Sequence, residues 1–362
     1  MEITAVIEVT ENCNLNCTFC LRPSFKKSSM NTERLEKIVS HLINNSENRI
    51  DFIWHGGEPL FLGLNFYKNV IKFQKKHNKR GIIIKNNVQT NGLLLNDKLI
   101  KFFEKNSFAI GTSIQGTKEI HDSSRIDKGG NPTYDKLISK ISLLREKPSS
   151  IMVLTKETLG KEEKIYKETK KYVRGMKISE YFPGGLNPGK NKTLEKKYSV
   201  MPSPEEYGKS MIKFYEIWKK DSNPIELKPI TDIIKSFVIG KSGGCLYSQE
   251  VCNLSIIGIK SNGDFYTCIR GYPDKKFLIG NINEEPLKKL KRRGLNDLKK
   301  RQDILRKKDC KNCEFWAYCN GGCPQESFKI YGNLKHKSFY CRGRKMLFKK
   351  IREDLKLKND EF

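Results

Sequence analysis

The 362-residue sequence contains no long apolar run, and its first residues lack the pattern of a secretory signal. A membrane-spanning helix needs about 20 consecutive apolar residues. A signal peptide needs a basic start followed by an apolar stretch of roughly 7–15 residues. Since neither pattern is present, we expect a cytoplasmic protein with no membrane partner. Internal repeats and long low-complexity segments are also missing from the sequence.

Cysteine is missing from the whole middle of the chain, between residues 20 and 245, although the sequence has eleven cysteines. Three lie near the start and eight near the end, namely Cys13, Cys17, Cys20, Cys245, Cys252, Cys268, Cys310, Cys313, Cys319, Cys323 and Cys341. In a reducing cytoplasm, clustered cysteines indicate metal ligands before disulfides. The odd number also prevents complete pairing into disulfides.

The chain is strongly basic, with 69 Lys and Arg against 41 Asp and Glu and a net charge of +28. Such a charge, when clustered, indicates a nucleic-acid partner. Here the lysines are spread over the chain without an aromatic-interleaved basic motif, so we expect a solvated surface and no nucleic-acid partner. The densest basic stretch, 287–308, has leucines at helical spacing and predicts an amphipathic helix.

The first 180 residues alternate between strand-like and helix-like patterns. Short, β-branched segments predict buried parallel strands at 3–9, 50–54, 81–88, 108–114, 150–154 and 176–182. Helical patterns lie between them at about 32–46, 63–78, 96–105, 132–147 and 161–174. This alternation predicts an α/β fold with a parallel sheet and right-handed crossovers. Six units suit either an open doubly wound sheet or a partial barrel.

Polar or glycine-containing segments follow the first four predicted strands. They are ENCNLNCTFC, HGGEPL, QTNG and SIQG, and each lies at the C-terminal end of its strand. That edge carries the active site in barrel-type α/β folds. The sequence therefore predicts one site shared by these segments.

The run CNLNCTFC, residues 13–20, offers three thiolates from one short loop. Three thiolates can hold three irons of a [4Fe-4S] cluster, leaving the fourth iron for a ligand from outside the protein. A catalytic zinc with three protein ligands is the alternative.

This CxxxCxxC run, with Phe19 before its last cysteine, and the GGEP run after the second strand resemble the radical S-adenosylmethionine (SAM) superfamily. The resemblance implies a partial (β/α)6 barrel. It also implies that SAM chelates the open iron, and that reductive cleavage of SAM gives a 5'-deoxyadenosyl radical that abstracts hydrogen from a substrate. In that role, Gly56 and Gly57 would allow a close approach to the ligand, and Glu58 would meet the SAM ammonium.

The stretch GTSIQGTKEIHDSSR, residues 111–125, resembles the matching part of anaerobic sulfatase-maturating enzymes. The resemblance implies that Ser113 and Arg125 contact SAM, together with the backbone of Phe19. The alternatives are a strand-end hydroxyl bonded to backbone for Ser113, and a surface ion pair with Asp122 or Asp127 for Arg125.

The C-terminal cysteines resemble the SPASM domain, an auxiliary-cluster module of radical SAM enzymes that act on peptides and proteins. The pattern is Cx10Gx4C from Cys252 to Cys268, then Cx2Cx5Cx3C, then Cys341. The resemblance implies two auxiliary [4Fe-4S] clusters, one held by Cys245, Cys252, Cys268 and Cys323 and the other by Cys310, Cys313, Cys319 and Cys341. Cys245 lies outside the core spacing, and a pair of zinc sites is the alternative.

We therefore expect a radical SAM barrel over residues 1–230, a small cysteine-rich SPASM domain over 231–345, and a C-terminal helix and tail over 346–362. The expected function is oxidation or cross-linking of a residue in a peptide or protein substrate. A low-potential electron donor such as flavodoxin or ferredoxin would be the second partner.

Anaerobic sulfatase maturation, which produces formylglycine, is an alternative function. That family places an Asp after the third SPASM-region cysteine, whereas here Cys268 is followed by Ile269 and Arg270. Asp264 and Asp274 are near in sequence but off this position, so the catalytic base stays unassigned. An RNA-modifying radical enzyme and a non-catalytic Fe–S electron carrier are further alternatives.

Overall fold

The structure is a computed structural model that describes residues 2–20, 28–183, 198–242, 245, 252, 256–271, 274–283 and 286–356. The predicted tail beyond residue 356 therefore lies outside the described residues. Among the described helices, none combines the length and apolar character that crossing a membrane requires.

The first half of the chain confirms the predicted alternation of strands and helices. The strands are Ile3–Thr10 (β1), Arg49–Gly56 (β2), Ile83–Gln89 (β3), Phe108–Thr112 (β4), Ser149–Leu154 (β5) and Gly175–Glu180 (β6). The helices are Thr32–Asn44 (α1), Gly63–His77 (α2), Asp97–Lys105 (α3), Lys118–Ser124 (α4), Tyr134–Ile141 (α5) and Glu162–Lys170 (α6). Only the short helix α4 was not predicted.

The strand order decides between the two architectures that the sequence leaves open. Strands β1 to β6 are neighbours in chain order, and every pair among them is parallel. A doubly wound sheet reverses its strand order at a switch point. Here all the crossovers run in one direction, and their common handedness places the helices on one face. The fold is therefore the partial barrel.

The second half of the chain extends the same sheet at both ends. Its strands are Glu226–Lys228 (β7), Ile256–Ile259 (β8), Asp264–Tyr266 (β9) and Leu278–Asn281 (β10). Its helices are Pro204–Lys220 (α7), Ile230–Val238 (α8), Leu287–Lys307 (α9), Trp316–Cys319 (α10), Pro324–Tyr331 (α11) and Cys341–Asp354 (α12). Strand β7 pairs with β6, whereas β8 pairs in parallel with β1 and continues into the antiparallel strands β9 and β10.

A buried ion pair joins the cysteine-rich part of the chain to the barrel. Lys260 follows β8 and contacts the carboxylate of Glu8 in β1, and its Nζ lies 2.9 Å from Oε1 of Glu11. Lys260 and Glu8 are almost completely buried. Removing one partner of a buried pair costs more than removing both, because it leaves an uncompensated charge. This pair therefore fixes the position of β8 against β1.

Candidate functional site

The loop that carries the first three cysteines follows β1 and is held against the end of α4. The backbone N–H of Asn16 donates to the carbonyl of Ile126 at 2.9 Å, and that of Thr18 donates to the carbonyl of Ser124 at 2.9 Å. These two hydrogen bonds place Arg125 beside the thiol-bearing loop. The family resemblance implied that Arg125 and this loop both contact SAM, and the structure brings the two segments into direct contact.

The two glycines of the GGEP run are required by the packing of two backbones. A Cβ on Gly56 would lie 2.5 Å from the carbonyl oxygen of Thr10, and one on Gly57 would lie 2.3 Å from that of Asn12. The Gly57 N–H donates to the Thr10 carbonyl at 2.8 Å, and the Glu58 N–H donates to the Asn12 carbonyl at 2.7 Å. The close approach serves the contact of GGEP with the cysteine loop, which a side chain would break.

Glu58 is completely buried, and its carboxylate joins the GGEP run to the QTNG segment. It accepts hydrogen bonds from the N–H of Leu60 at 3.0 Å, the hydroxyl of Thr90 at 2.7 Å and the N–H of Asn91 at 2.7 Å. Burial raises the pKa of this carboxyl to about 7, and the three donors oppose that rise. A contact of Glu58 with the SAM ammonium would have to be made alongside these three donors.

Asn91 extends this network to the first cysteine. Its side-chain amide donates to Oδ1 of Asn14 at 2.7 Å and lies 3.8 Å from Sγ of Cys13. The QTNG segment thus links Glu58 to the cysteine loop, a role that sequence reasoning missed. The available signal was the position of two short polar residues directly after a buried strand.

Arg125 is a buried cation that faces the thiols. Its Nη1 lies 3.9 Å from Sγ of Cys17, and its guanidinium carbon lies 5.3 Å from the ring centroid of Phe19. Its Nε is buried and has no hydrogen-bond partner among the described residues. The alternative of a surface ion pair fails, because Asp122 accepts from the N–H groups of Thr133 and Tyr134 at the start of α5. Asp127, likewise, accepts from the backbone of residues 129 and 131.

His121 holds the backbone around Arg125. Its Nδ1 accepts from the N–H of Gln115 at 3.2 Å, and its Nε2 lies 3.2 Å from the hydroxyl of Thr133. That hydroxyl in turn donates to the carbonyl of Arg125. Burial and the positive charge of Arg125 lower the pKa of His121 to about 3, so the imidazole is neutral. Sequence reasoning did not single out His121 or Thr133.

Ser113 directly follows β4 and is partly buried at the same sheet edge. The residues on either side of it are fixed to neighbouring strands. The side chain of Gln89 donates to the carbonyl of Thr112 at 2.8 Å, and the N–H of Ile114 donates to the hydroxyl of Ser150 at 2.9 Å. These contacts fix the backbone that presents Ser113.

All eleven cysteines are free thiols, and their surroundings divide them into three groups. We call them thiol set 1 (Cys13, Cys17, Cys20), thiol set 2 (Cys245, Cys252, Cys268, Cys323) and thiol set 3 (Cys310, Cys313, Cys319, Cys341). Within set 1, burial raises the pKa of Cys13 to about 11, and the charges of Glu58, Cys17 and Cys20 add to that rise.

Thiol sets 2 and 3 are grouped in space as the family resemblance implies. Burial holds the pKa of Cys252 well above its usual range, and the thiolates of Cys268, Cys245 and Cys323 raise it further. Burial raises the pKa of Cys310 to about 11, with added contributions from the other thiolates of set 3. The four thiols of set 3 also line one small cavity. Cys245, the least secure ligand by spacing, thus lies within the electrostatic reach of set 2.

A buried Arg between two carboxylates attaches the thiol-bearing helices to the barrel. Arg344 donates to both carboxylate oxygens of Glu180 at the end of β6, at 2.7 and 2.5 Å, and to Glu326 at 3.3 Å. Glu326 comes three residues after Cys323, and Arg344 comes three residues after Cys341. The triad therefore orients one helix of set 2 and one helix of set 3 against the same strand end.

Arg270 lies close to set 2, in the region where anaerobic sulfatase-maturating enzymes place an Asp. It stacks on Phe182 at 4.4 Å and donates to the backbone carbonyl of Glu180 at 3.2 Å. Asp274 lies 3.8 Å from Nζ of the buried Lys329. Burial lowers the pKa of Lys329, and the charges of Asp274, Arg270 and Cys323 also act on this group. Asp264 instead binds Asn262 and Asn281 at the end of the β8–β9 hairpin.

The donor sets fit iron–sulfur clusters better than zinc. Among the described ranges, no three His, Cys, Asp or Glu side chains are arranged to hold a single metal ion. Thiolates that bind one zinc lie about 2.3 Å from it and hence only about 4 Å from each other. A four-iron cluster is larger and separates its thiolate ligands more widely. The three thiol sets contain no His, and their sulfur atoms are grouped without converging on a single metal position. This arrangement agrees with iron–sulfur clusters.

Comparison with known families matches two separate parts of the chain. The family model described as the Radical SAM superfamily matches residues 7–169. The model described as the iron–sulfur cluster-binding domain SPASM matches residues 252–314. The chain carries a radical SAM domain followed by a SPASM domain. Its cofactors are accordingly SAM, the [4Fe-4S] cluster that binds it, and auxiliary Fe–S clusters.

The radical SAM–SPASM chain is similar to curated proteins over nearly its full length. It is 29% identical over 354 residues to a cysteine-type anaerobic sulfatase-maturating enzyme of Clostridium novyi, covering 94% of this chain and 92% of that protein. It is 28% identical over 368 residues to a serine-type anaerobic sulfatase-maturating enzyme of Bacteroides thetaiotaomicron, covering 94% and 86%.

Solved structures show the same fold. Native anSMEcpe with bound AdoMet and a Kp18Cys peptide matches with a TM-score of 0.86 at 25% identity, covering 100% of both chains. Streptococcus suis SuiB bound to its precursor peptide SuiA matches with a TM-score of 0.64 at 15% identity, covering 94% of this chain and 76% of that one. The SuiB likeness concerns the fold alone.

Proposed function

We propose that this radical SAM–SPASM enzyme oxidises or cross-links a residue within a peptide or protein substrate. The observation that supports it most is the convergence of the cysteine loop, GGEP, QTNG and Arg125 at one strand edge, with the two further thiol sets held against the end of β6. The complex of the structural relative anSMEcpe with AdoMet and a peptide agrees with this proposal.

We propose that the thiolates of set 1 hold the cluster that binds SAM. The buried Nε of Arg125, which lacks a partner among the described residues, suits a carboxylate such as that of SAM. The Phe19 backbone, Gly57 and Ser113 would line the same pocket. Glu58 would shape it by holding GGEP against QTNG, because its carboxylate already accepts three hydrogen bonds.

When bound, the cluster and SAM supply a 5'-deoxyadenosyl radical that abstracts hydrogen from an unactivated C–H bond. The residues of this chain orient SAM and exclude water from the edge of the sheet. The thiolates of sets 2 and 3 would hold two auxiliary [4Fe-4S] clusters, which can accept the electron that a net oxidation releases. A low-potential carrier such as flavodoxin or ferredoxin would supply the electron for SAM cleavage.

The proposal includes the domain division at residues 230 and 345. The radical SAM barrel would supply the radical, and the SPASM domain would receive the substrate electron. The triad of Glu180, Arg344 and Glu326 joins the two parts at the strand end.

Mass spectrometry of the reacted substrate tests the proposal. The anaerobically reconstituted enzyme is incubated with SAM, a reductant and the peptide encoded beside its gene. A product lighter by two hydrogens supports a cross-link or an oxidation. An unchanged peptide mass, in a reaction that consumes SAM, would contradict the proposed substrate.

Sulfatase maturation is the second candidate, since the curated relatives described above carry that name. The position after Cys268 holds Ile269 and Arg270, and the carboxylate of Asp274 in this neighbourhood contacts Lys329. A sulfatase-derived peptide with Cys or Ser at the target position discriminates the two functions. Formation of an aldehyde, lost in Asp274→Asn, would favour the second candidate over the first.

A further inference from the structure

Arg301 is a buried cation in the middle of the basic helix α9. Its side chain is 2% exposed, and it ranks among the largest fully buried side chains of the protein. Its Nη2 donates to the carbonyl oxygen of Gly321 at 2.9 Å and to that of His336 at 3.2 Å. Its Nε is buried without a hydrogen-bond partner among the described residues. Two neutral carbonyls therefore hold a guanidinium that keeps its full positive charge.

No carboxylate neutralises this charge within the part of the chain that the structure describes. The charge of Glu326 acts on Arg301, but the ion-pair contact of Glu326 is with Arg344. Burial of an unpaired cation is strongly unfavourable unless an anion lies close by. The groups that surround Arg301 must therefore supply negative charge by another route.

Thiols of both SPASM thiol sets lie close to Arg301, because Gly321, whose carbonyl it contacts, stands between Cys319 of set 3 and Cys323 of set 2. Burial disfavours the charged form of Arg301, and the charges of Cys323 in set 2 and of Cys319 and Cys310 in set 3 favour it. Arg301 likewise favours the thiolate form of Cys252 in set 2. A single guanidinium thus acts on two members of each set, which places it between the two groups.

We propose that Arg301 is the shared counter-cation of the two auxiliary clusters, and that its charge raises the reduction potentials of both. The inference rests on the proposed occupation of sets 2 and 3 by clusters. Four thiolates around a four-iron cluster leave a net negative charge, and a nearby fixed positive charge favours the reduced, more negative form. Arg301 is a positioning residue, because it would act on the clusters and not on the substrate.

The test is a reduction-potential titration followed by electron paramagnetic resonance. All variants carry Cys13→Ala, Cys17→Ala and Cys20→Ala, so that only the auxiliary clusters contribute signals. Arg301→Gln removes the charge, and Arg301→Lys retains it. Arg306→Gln is the matched control, because Arg306 is an exposed residue of the same helix that stacks on Trp316 at 5.6 Å.

We expect Arg301→Gln to lower both midpoint potentials, Arg301→Lys to restore most of the shift, and Arg306→Gln to leave both unchanged. Iron is counted in every variant. If Arg301→Gln keeps its iron and both potentials stay at the parent values, the inference is overturned. If Arg301→Gln and Arg301→Lys lose iron to the same extent, the role of Arg301 is to pack the structure around the clusters, and the inference is also overturned. A parent protein that holds no auxiliary iron contradicts instead the proposed function.

Discussion

The guanidinium of Arg125 lies 5.3 Å from the ring centroid of Phe19, and its Nη1 lies 3.9 Å from Sγ of Cys17. One cation is therefore packed against both the aromatic residue and a thiol of the cysteine loop. Because its Nε has no partner among the described residues, a ligand carboxylate can take that place.

We predict that Arg125→Gln weakens SAM binding roughly 10- to 100-fold, because a hydrogen bond to a charged group contributes about 1.5–3 kcal/mol. Equilibrium binding of SAM to the anaerobically reconstituted protein measures the effect. Arg145→Gln, at an exposed position, serves as the control and should bind SAM normally. Equal affinity in the two variants would remove Arg125 from the SAM site.

Gly57→Ala should abolish reductive SAM cleavage and lower the free energy of unfolding. Its Cβ would lie 2.3 Å from the carbonyl oxygen of Asn12, and the backbone on both sides of that contact is fixed by hydrogen bonds. The control is Gly81→Ala, where nothing lies within 4 Å of the added Cβ and only the positive φ of 67° opposes it. Backbone strain of that kind costs about 1–2 kcal/mol. If the two variants cleave SAM equally well, the close packing of GGEP has no role.

His121 should make the stability of the barrel fall in mild acid. Its pKa is about 3 in the folded protein against 6.5 as the ordinary value, so below pH 6.5 the unfolded state binds a proton that the folded state does not. The contribution is complete above pH 6.5 and decreases as the pH falls toward 3. Between pH 7.5 and pH 5.5 this amounts to roughly 1 kcal/mol.

Chemical denaturation at both pH values, compared between the wild type and His121→Gln, isolates that contribution. The wild type should lose more stability on acidification than the variant does. An identical pH dependence in the two proteins would show that His121 is not held neutral by its surroundings.

Single cysteine variants should lose iron in blocks. With about twelve irons in three four-iron clusters, Cys268→Ala should lose about four and Cys310→Ala a different four, so that the double variant loses about eight. Iron analysis after anaerobic reconstitution measures this. If the double variant loses no more iron than either single variant, the two residues do not belong to separate clusters.

Much of the barrel follows from the sequence, because most of its strands read as short runs rich in apolar and β-branched residues. The leucines of 287–308 also predict a helix correctly, and α9 runs from Leu287 to Lys307 with these leucines buried. The strand order was not predictable, since a monotonic parallel sheet and a doubly wound one share the same alternation. The pairing of β8 with β1 depends on a contact between residues far apart in the chain.

The site was partly predictable for a related reason. Spacing gives the thiol ligands, whereas the partners of a buried polar group depend on tertiary structure. The hydrogen bonds of the Glu58 carboxylate with Thr90 and Asn91, for example, were not predicted. Arg301 looks like one more surface charge in a basic run, and only the packing of α9 shows that it is buried.

Anaerobic reductive cleavage of SAM tests the central claim most directly. The reconstituted, iron-replete protein is incubated with SAM and a strong reductant, and 5'-deoxyadenosine is quantified beside the Cys17→Ala variant. We predict that the wild type forms 5'-deoxyadenosine and that Cys17→Ala forms none. An iron-replete wild-type protein that forms no 5'-deoxyadenosine would contradict the account and favour a non-catalytic Fe–S electron carrier.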